Sequence, residues 1–563
     1  MRKISHGICT SLLLGILFSA CTGTLRGGSS SSLVGNSIPD QTPAETSTPF
    51  QPSANQSKET HPPGATQTPT PSSIWISPIL PASFLSAFTP PQGWEITSKP
   101  EDGAVQLHIG NDRQVSKWMY ALVAPFPTVA DGVTLQELQQ AWSGQRSGPF
   151  AGRPLLLDPN TRDVFSALWG YPAPGASQLV PGDQLLNSAW ANRPAWAIVP
   201  WESVEPRWKV LEVDGQSPMQ NTFDPAAYPL AVPISLYGDS DLIDQAAANS
   251  TFPATNRDPS KFTTVILTGT TALVRATAST MEKKGVLYPA QDIGELLRSA
   301  DLTHVSNEIP FAKDCPPPNP APGVYPFCSD PRYIDLLDYI GVDIIELTGN
   351  HIRDWGSDAL LYTMDLYTQR GWSFYGGGKN LEEARKPVLL ERNGNRLAFI
   401  GCNEPGINGE WATDSSPGAA PCDFDYLKTE LAELTADGYL PVMTFQYYEY
   451  SRYPPTTEQA RDFLAMADAG ALIVSGSQAH FPQTFAFAGR SFIHYGLGNL
   501  FFDQYDLEEG SRDAFIDRHV FYDGRYLGVD LIMTTFVDFA RPRLMTAKER
   551  SDFLTTVFSK SDW

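Results

Sequence analysis

From residue 262 onward the chain repeats one pattern: a short apolar run that breaks off into small or polar residues. Residues 265–267 end in Thr268-Gly-Thr-Thr, 302–305 in Ser306-Asn-Glu and 343–347 in Thr348-Gly-Asn-His. Further on, 397–400 end in Gly401-Cys-Asn-Glu, 442–445 in Gln446-Tyr-Tyr-Glu, 472–474 in Ser475-Gly-Ser-Gln-Ala-His, and 493–495 in Gly496-Leu-Gly-Asn. Short apolar runs bounded by turn formers read as strands buried on both faces. Stretches of helical period, such as 293–299 and 457–469, lie between several of them. Strands and amphipathic helices in that order predict a layered α/β sandwich whose polar strand ends converge along one edge.

The stretch 348–356, Thr348-Gly-Asn-His-Ile-Arg-Asp-Trp-Gly, sits at the centre of this pattern. It follows Val342, Ile344, Ile345 and Leu347 and precedes Leu360, Leu361, Met364, Leu366 and Tyr367, a helical spacing. A strand, a turn at Gly349 and a helix place Asn350, His351 and Asp354 at the strand's carboxyl end. Open α/β sheets carry their chemistry there, because the turn is exposed and the next helix's amino terminus favours anions.

A chain of 563 residues is too long for one core, so two domains plus tails are expected. Its net charge of −22 argues against a nucleic-acid partner and against an electrostatic hold on anionic lipid. Arg2 and Lys3 followed by the apolar stretch 8–18 read as a targeting segment, too short to span a bilayer. Phe18-Ser19-Ala20-Cys21 resembles a bacterial lipoprotein processing site, which implies a chain that begins at a lipid-modified Cys21 and is anchored to a membrane outside the cytoplasm. Residues 22–73 are rich in Ser, Thr and Pro and read as a disordered linker. Residues 74–250 read as an α/β domain, 251–261 as a linker, 262–545 as the repeating domain and 546–563 as a tail. Cys315, Cys328, Cys402 and Cys422 allow three pairings; the two local ones, Cys315–Cys328 and Cys402–Cys422, would each clip a Pro/Gly-rich loop. Disulfides are favoured over a zinc site because no CxxC spacing is present.

Two passages of the first domain carry a resemblance. Ala124-Pro-Phe-Pro-Thr-Val-Ala-Asp-Gly-Val-Thr-Leu-Gln-Glu-Leu with Trp142-Ser-Gly, and Trp208-Lys-Val-Leu-Glu-Val-Asp-Gly-Gln-Ser-Pro with Tyr228-Pro-Leu, look like segments of the phosphate-binding proteins of transporters. That implies a smaller periplasmic-binding-protein-like α/β domain. It shows no Ser/Thr-rich phosphate cradle, so no ligand is carried over.

The second resemblance is broader. Gly269-Thr-Thr-Ala-Leu-Val-Arg275, Asn307-Glu308, 349–356, Gly376-Gly-Gly-Lys-Asn380, Gln446-Tyr-Tyr-Glu-Tyr450, Gly476-Ser-Gln-Ala-His480 and Tyr495-Gly-Leu-Gly-Asn499 occur in this order. They resemble the CapA-type family of poly-γ-glutamate capsule biosynthesis proteins. The resemblance implies a calcineurin-like metallophosphoesterase domain, a four-layer αββα sandwich, and a role in capsule or surface-polymer formation. The chain departs from the family where metal ligands would lie: Thr270 replaces the Asp of Gly-Asp, and Gln446 and Gln478 stand where the family has histidines. Glu308, Asn350, His351, Glu449 and His480 survive.

Two functions follow. In one, the chain is a hydrolase or transferase of the metallophosphoesterase-like class, with His351, Asn350 and Asp354 as catalytic residues. Glu308, Asn350 and His480 would then hold one divalent ion (Mn, Fe or Zn). In the alternative no metal is held, and the chain binds a surface polymer or an anionic small molecule without catalysis. Thr270, Gln446, Glu449, Gln478 and Asn499 would supply hydrogen bonds, and Arg275 and Arg353 would serve as anion partners. His304 and His494 read as core residues, and Tyr447, Tyr448, Tyr450 and Tyr453 as either a groove lining or the sandwich rim.

Overall fold

The computed structural model describes residues 72–563 apart from 322, 324, 407, 408 and 509. The predicted signal segment with Cys21, and the predicted linker as far as residue 71, lie outside the described residues. Among the described residues no helix is long and apolar enough to cross a membrane.

The repeating part folds as two facing sheets. In the first, Ser373–Tyr375, Ile344–Glu346, Leu302–Asn307 and Phe262–Thr271 run parallel in that order, and Asp513–Tyr522 and Arg525–Phe536 continue it antiparallel. In the second, Asn395–Asn403, Leu440–Gln446, Ile473–Gly476 and Ser491–His494 form the parallel centre. Because strand side chains alternate, each apolar run fills two layers at once. Val265, Leu267, Ile344, Phe399, Val442, Ile473 and Phe492 point between the sheets. Their chain neighbours Ile266 and Ile345 pack outward against Met281, Leu336, Leu360 and Met364 of the flanking helices. Met443, Val474 and Ile493 pack likewise against Leu431, Phe463 and Met466. The result is the αββα sandwich, and it explains why the runs are apolar throughout rather than alternating.

Residues 546–563, read as a tail, hold the helix Ala547–Lys560, opened by a capping box between Thr546 and Glu549. Its Phe553, Leu554, Val557 and Phe558 are buried in the layer between the sheets. Each such burial is worth roughly 2 kcal/mol.

The amino-terminal α/β domain is built on one mixed sheet, through which the strand Arg113–Pro125 runs. It is joined tightly to the sandwich. Trp201 meets Tyr522 edge-on at 5.5 Å, and the segment 251–261, read as a linker, is bolted down along its length. Asn256 exchanges hydrogen bonds with the backbone of Met119, while Tyr522 donates to the Asn256 carbonyl. Arg257, 4% exposed, donates to the Pro218 and Gln220 carbonyls and lies over the rings of Phe223 and Phe262.

Candidate functional site

The parallel strands of both sheets end at one edge, and their loops interlock through glycine. A Cβ on Gly349 would lie 2.7 Å from the Glu308 Cα, and one on Gly476 would lie 2.0 Å from the Tyr495 carbonyl oxygen. Only glycine lets these strand ends approach so closely.

The approach brings Glu308, Asn350, Gln446, Gln478, His480, Glu449 and Asn499 into one cluster. Gln446 Nε2 donates to Asn350 Oδ1 at 2.9 Å, to Glu308 Oε1 at 3.5 Å and to Gln478 Oε1. Gln478 Nε2 in turn donates to Glu449 Oε1 at 3.1 Å and faces His480 Nε2 at 3.1 Å. His480 Nδ1 lies 2.7 Å from Asn499 Oδ1, so that nitrogen carries the proton and Nε2 turns its lone pair into the cluster. Nε2 is 3.9 Å from Glu308 and 3.7 Å from Glu449. All but Glu449 and Asn350 are 5% exposed or less, whereas the Glu449 side chain is 55% exposed and marks the mouth. His480 also has φ 51°, a left-handed conformation that costs a non-glycine residue about 1–3 kcal/mol and commonly marks a functional position.

Beside the cluster, His351 Nδ1 pairs with Asp354 Oδ2 at 2.8 Å, and the same carboxylate oxygen accepts from the Phe327 backbone nitrogen. Burial alone would pull the His351 imidazole down. The Asp354 hydrogen bond and the charges of Glu308, Asp354 and Glu449 outweigh it and raise the group above its ordinary value. The ring lies tilted 4.5 Å from Phe327 and stacked 5.6 Å from the exposed Tyr325. Both aromatics sit on the loop closed by the Cys315–Cys328 disulfide; Cys402–Cys422 closes the other predicted loop.

Three predicted residues stand elsewhere. Arg275 is ion-paired with Asp503 and held between the Phe327 and Phe502 rings, so its charge is taken up inside the protein. Arg353 donates to the Gly409 carbonyl at 2.7 Å and so ties down a neighbouring loop. Thr270 donates its hydroxyl to the Ser477 carbonyl and joins the two sheets beneath the cluster.

Sequence reasoning missed Glu346. Its carboxylate is 1% exposed and accepts from Thr348 Oγ1 at 2.6 Å and Ser477 Oγ at 3.1 Å. Burial pushes this carboxyl up, against the hydrogen bonds it accepts. A lone acid inside the apolar run 343–347 was the available signal. His304 and His494 are core residues, as read from the sequence: His304 Nε2 meets the Tyr375 hydroxyl at 2.8 Å and His494 Nδ1 meets Asp517 at 2.6 Å. Tyr447 is buried with its hydroxyl on Asp462, while Tyr448 is exposed at the rim.

The donor set can be weighed against the metals used by two-ion hydrolases. Such a centre needs a bridging carboxylate and several further nitrogen or oxygen ligands around ions about 3.5–4 Å apart. Here one imidazole and two carboxylates are left, and neutral amides, weak ligands for transition metals, take the other places. Among the described residues no group of three or more His, Cys, Asp or Glu is arranged to hold a metal ion. The cluster does not fit a two-metal centre.

Residues 264–504 match the family model described as bacterial capsule synthesis protein PGA_cap. The capsule biosynthesis protein CapA of Bacillus anthracis is 24% identical over 257 residues, 45% of this chain. The match spans 62% of that relative's length. Among solved structures, a 5'-nucleotidase precursor of Thermus thermophilus aligns at 11% identity and a TM-score of 0.31, covering 53% of this chain and 58% of its own. An ABC-type phosphate transport receptor of Vibrio cholerae aligns at 14% identity and a TM-score of 0.25, covering 30% of this chain and 87% of its own.

Proposed function

Residues 264–504 form a CapA-type domain, and from that premise we propose that the chain serves capsule or surface-polymer formation by holding the polymer at its strand-end cluster. One observation carries this reading: the oxygens of Glu308, Asn350 and Gln478 converge on the amide nitrogen of Gln446. That nitrogen satisfies the acceptors a cation would otherwise satisfy, and an amide neither activates water nor polarises a carbonyl as a metal ion does. What the cluster offers instead is a set of paired amide and carboxylate hydrogen bonds beside an aromatic wall of Tyr325, Phe327 and His351.

The same geometry supports one way of holding the polymer. Arg275 and Arg353 are engaged within the protein, Glu308 and Glu449 face the cluster, and the chain's net charge is −22. A polymer would therefore be gripped through amide or hydroxyl groups of its backbone rather than through negative charges. Lipidation at Cys21 would keep the domain outside the cytoplasm, where disulfides such as Cys315–Cys328 and Cys402–Cys422 persist.

A second reading has one favouring observation. Glu308 Oε2 is buried and accepts no hydrogen bond, and Glu308, Asn350 and His480 would be the ligands of one weakly held Mn, Fe or Zn ion. Purified full-length protein incubated with poly-γ-glutamate, with Mn²⁺ or with EDTA, separates the two. Binding that survives EDTA with no shortening of the polymer supports the binding reading. Mn²⁺-dependent shortening, abolished in His480→Ala, establishes the enzyme instead.

A further inference from the structure

The amino-terminal domain contains a cavity of about 790 Å³, independent of the strand-end cluster. The helices Ala82–Ala87, Pro159–Trp169 and Gly182–Ala191 begin at its wall, and the segment 199–208 closes it. Convergent helix starts favour an anion when their backbone N–H groups are free. At the start of Pro159–Trp169 they are not free. The Asp158 carboxylate caps Pro159–Trp169, accepting from the backbone of Asn160 at 2.9 Å and of Thr161 at 3.1 Å and from the Thr161 hydroxyl. The protein's own acid thus occupies the place an oxyanion would take.

The rest of the wall is acidic as well. Asp183, Glu202 and Glu205 join Asp158 there, against the single cation Arg207. Arg207 is turned toward Asn187, 3.1 Å away, and stacks 4.7 Å from the Trp190 ring; Glu205 has Arg490 at 3.5 Å. Two polar groups are left wanting a partner. Tyr120 is 1% exposed and lines the cavity, yet its hydroxyl makes no hydrogen bond among the described residues, and the charges acting on it are those of Glu202 and Asp158. Glu202 Oε1 is buried and accepts none, although Oε2 accepts from Asn256 Nδ2 at 2.8 Å. The buried Glu202 oxygen without a partner carries an unmet desolvation cost that a bound donor would recover.

We propose that this cavity binds a small polar ligand carrying a primary ammonium beside an oxygen acceptor, the chemistry of an amino sugar. The ammonium is met by Glu202, Asp158 and Asp183, and the Tyr120 hydroxyl donates to the neighbouring ligand oxygen. Phosphate is disfavoured because the wall carries Asp158, Asp183, Glu202 and Glu205 and because Asp158 fills the Pro159–Trp169 helix start.

The test is calorimetric titration of the full chain with D-glucosamine, D-glucose and inorganic phosphate. The two sugars differ only in the amine. Glucosamine binding at least tenfold tighter than glucose, with no phosphate binding, is the expected result. Tyr120→Phe, which removes a hydroxyl that bonds nothing in the protein, should weaken glucosamine at least fivefold without lowering the melting temperature. Asp183→Asn, on an exposed position, should do the same. Equal affinity for the two sugars, no binding of glucosamine, tight binding of phosphate, or an unchanged affinity in Tyr120→Phe each overturns the proposal.

Discussion

Gln446 Nε2 lies 2.9 Å from Asn350 Oδ1, so the end of a central strand of the second sheet is joined to the Asn-His turn of the first. It adds to the Gln446–Glu308 and Ser477–Glu346 bonds, which also cross between the sheets. With it, the turn residues and His480 belong to one connected cluster, running from Asn350 through Gln446 and Gln478.

Returning imidazoles to that link should create a metal site. In a Gln446→His/Gln478→His protein, two nitrogen ligands replace neutral amides beside Glu308 and His480, and imidazole suits Zn²⁺ where an amide does not. Calorimetry is expected to show Zn²⁺ affinity at least tenfold above that of the parent. Unchanged affinity would mean that the strand-end oxygens do not share one focus.

His351 makes the fold more stable in mild acid. Its folded value is raised above the ordinary 6.5, so the stabilisation is fully present below pH 6.5 and is lost as pH rises through the folded value. Urea unfolding of the parent and of His351→Gln should differ more at pH 5.5 than at pH 8.5. A gap that widens toward alkaline pH contradicts the Asp354 pairing.

The buried histidines of the sandwich act in the opposite direction. Burial holds His304 down at about 3 and His519 at about 4. Between those values and 6.5 the unfolded chain takes up protons that the folded one refuses, so stability falls with pH across that window. The limiting slope is about 1.4 kcal/mol per pH unit for each histidine. The melting temperature should therefore drop from pH 6.5 to pH 4.5, and His519→Phe should flatten the decline relative to its own pH 7 value. An unchanged slope would place the acid sensitivity elsewhere.

The Cys315–Cys328 bond spans 13 residues and carries the aromatic wall beside His351. Replacing both cysteines by serine should cost about 3 kcal/mol in denaturant unfolding. It should also weaken polymer binding, because Tyr325 and Phe327 lose their tether. The corresponding change at Cys402 and Cys422 should lower stability comparably and disturb binding less.

The parallel strands were legible because burial on both faces leaves no room for alternation, and each apolar run from Val265 to Ile493 lies in a strand or beside one. The strand-end residues were legible for the same reason, since polar side chains that interrupt such runs must sit where the sheet stops. The partners of the arginines were not. Arg275 finds Asp503 across 228 positions of sequence, and no local pattern announces an ion pair of that span. Segment 251–261 reads as polar and loose, yet Asn256 and Arg257 are fixed by carbonyls and rings that only the assembled interface supplies. Glu346 shows the converse: a single acid in a buried strand is visible in the sequence, but the Ser477 hydroxyl that holds it comes from the other sheet.

The most direct measurement is the affinity of the full chain for poly-γ-glutamate in EDTA, at roughly 20 and 200 mM salt, for the parent and for Gln446→Ala. A protein of net charge −22 that holds the polymer through hydrogen bonds should bind more tightly as salt screens the repulsion, and should lose at least tenfold when Gln446 is truncated. Affinity that falls with salt, or that ignores the loss of Gln446, would contradict the account.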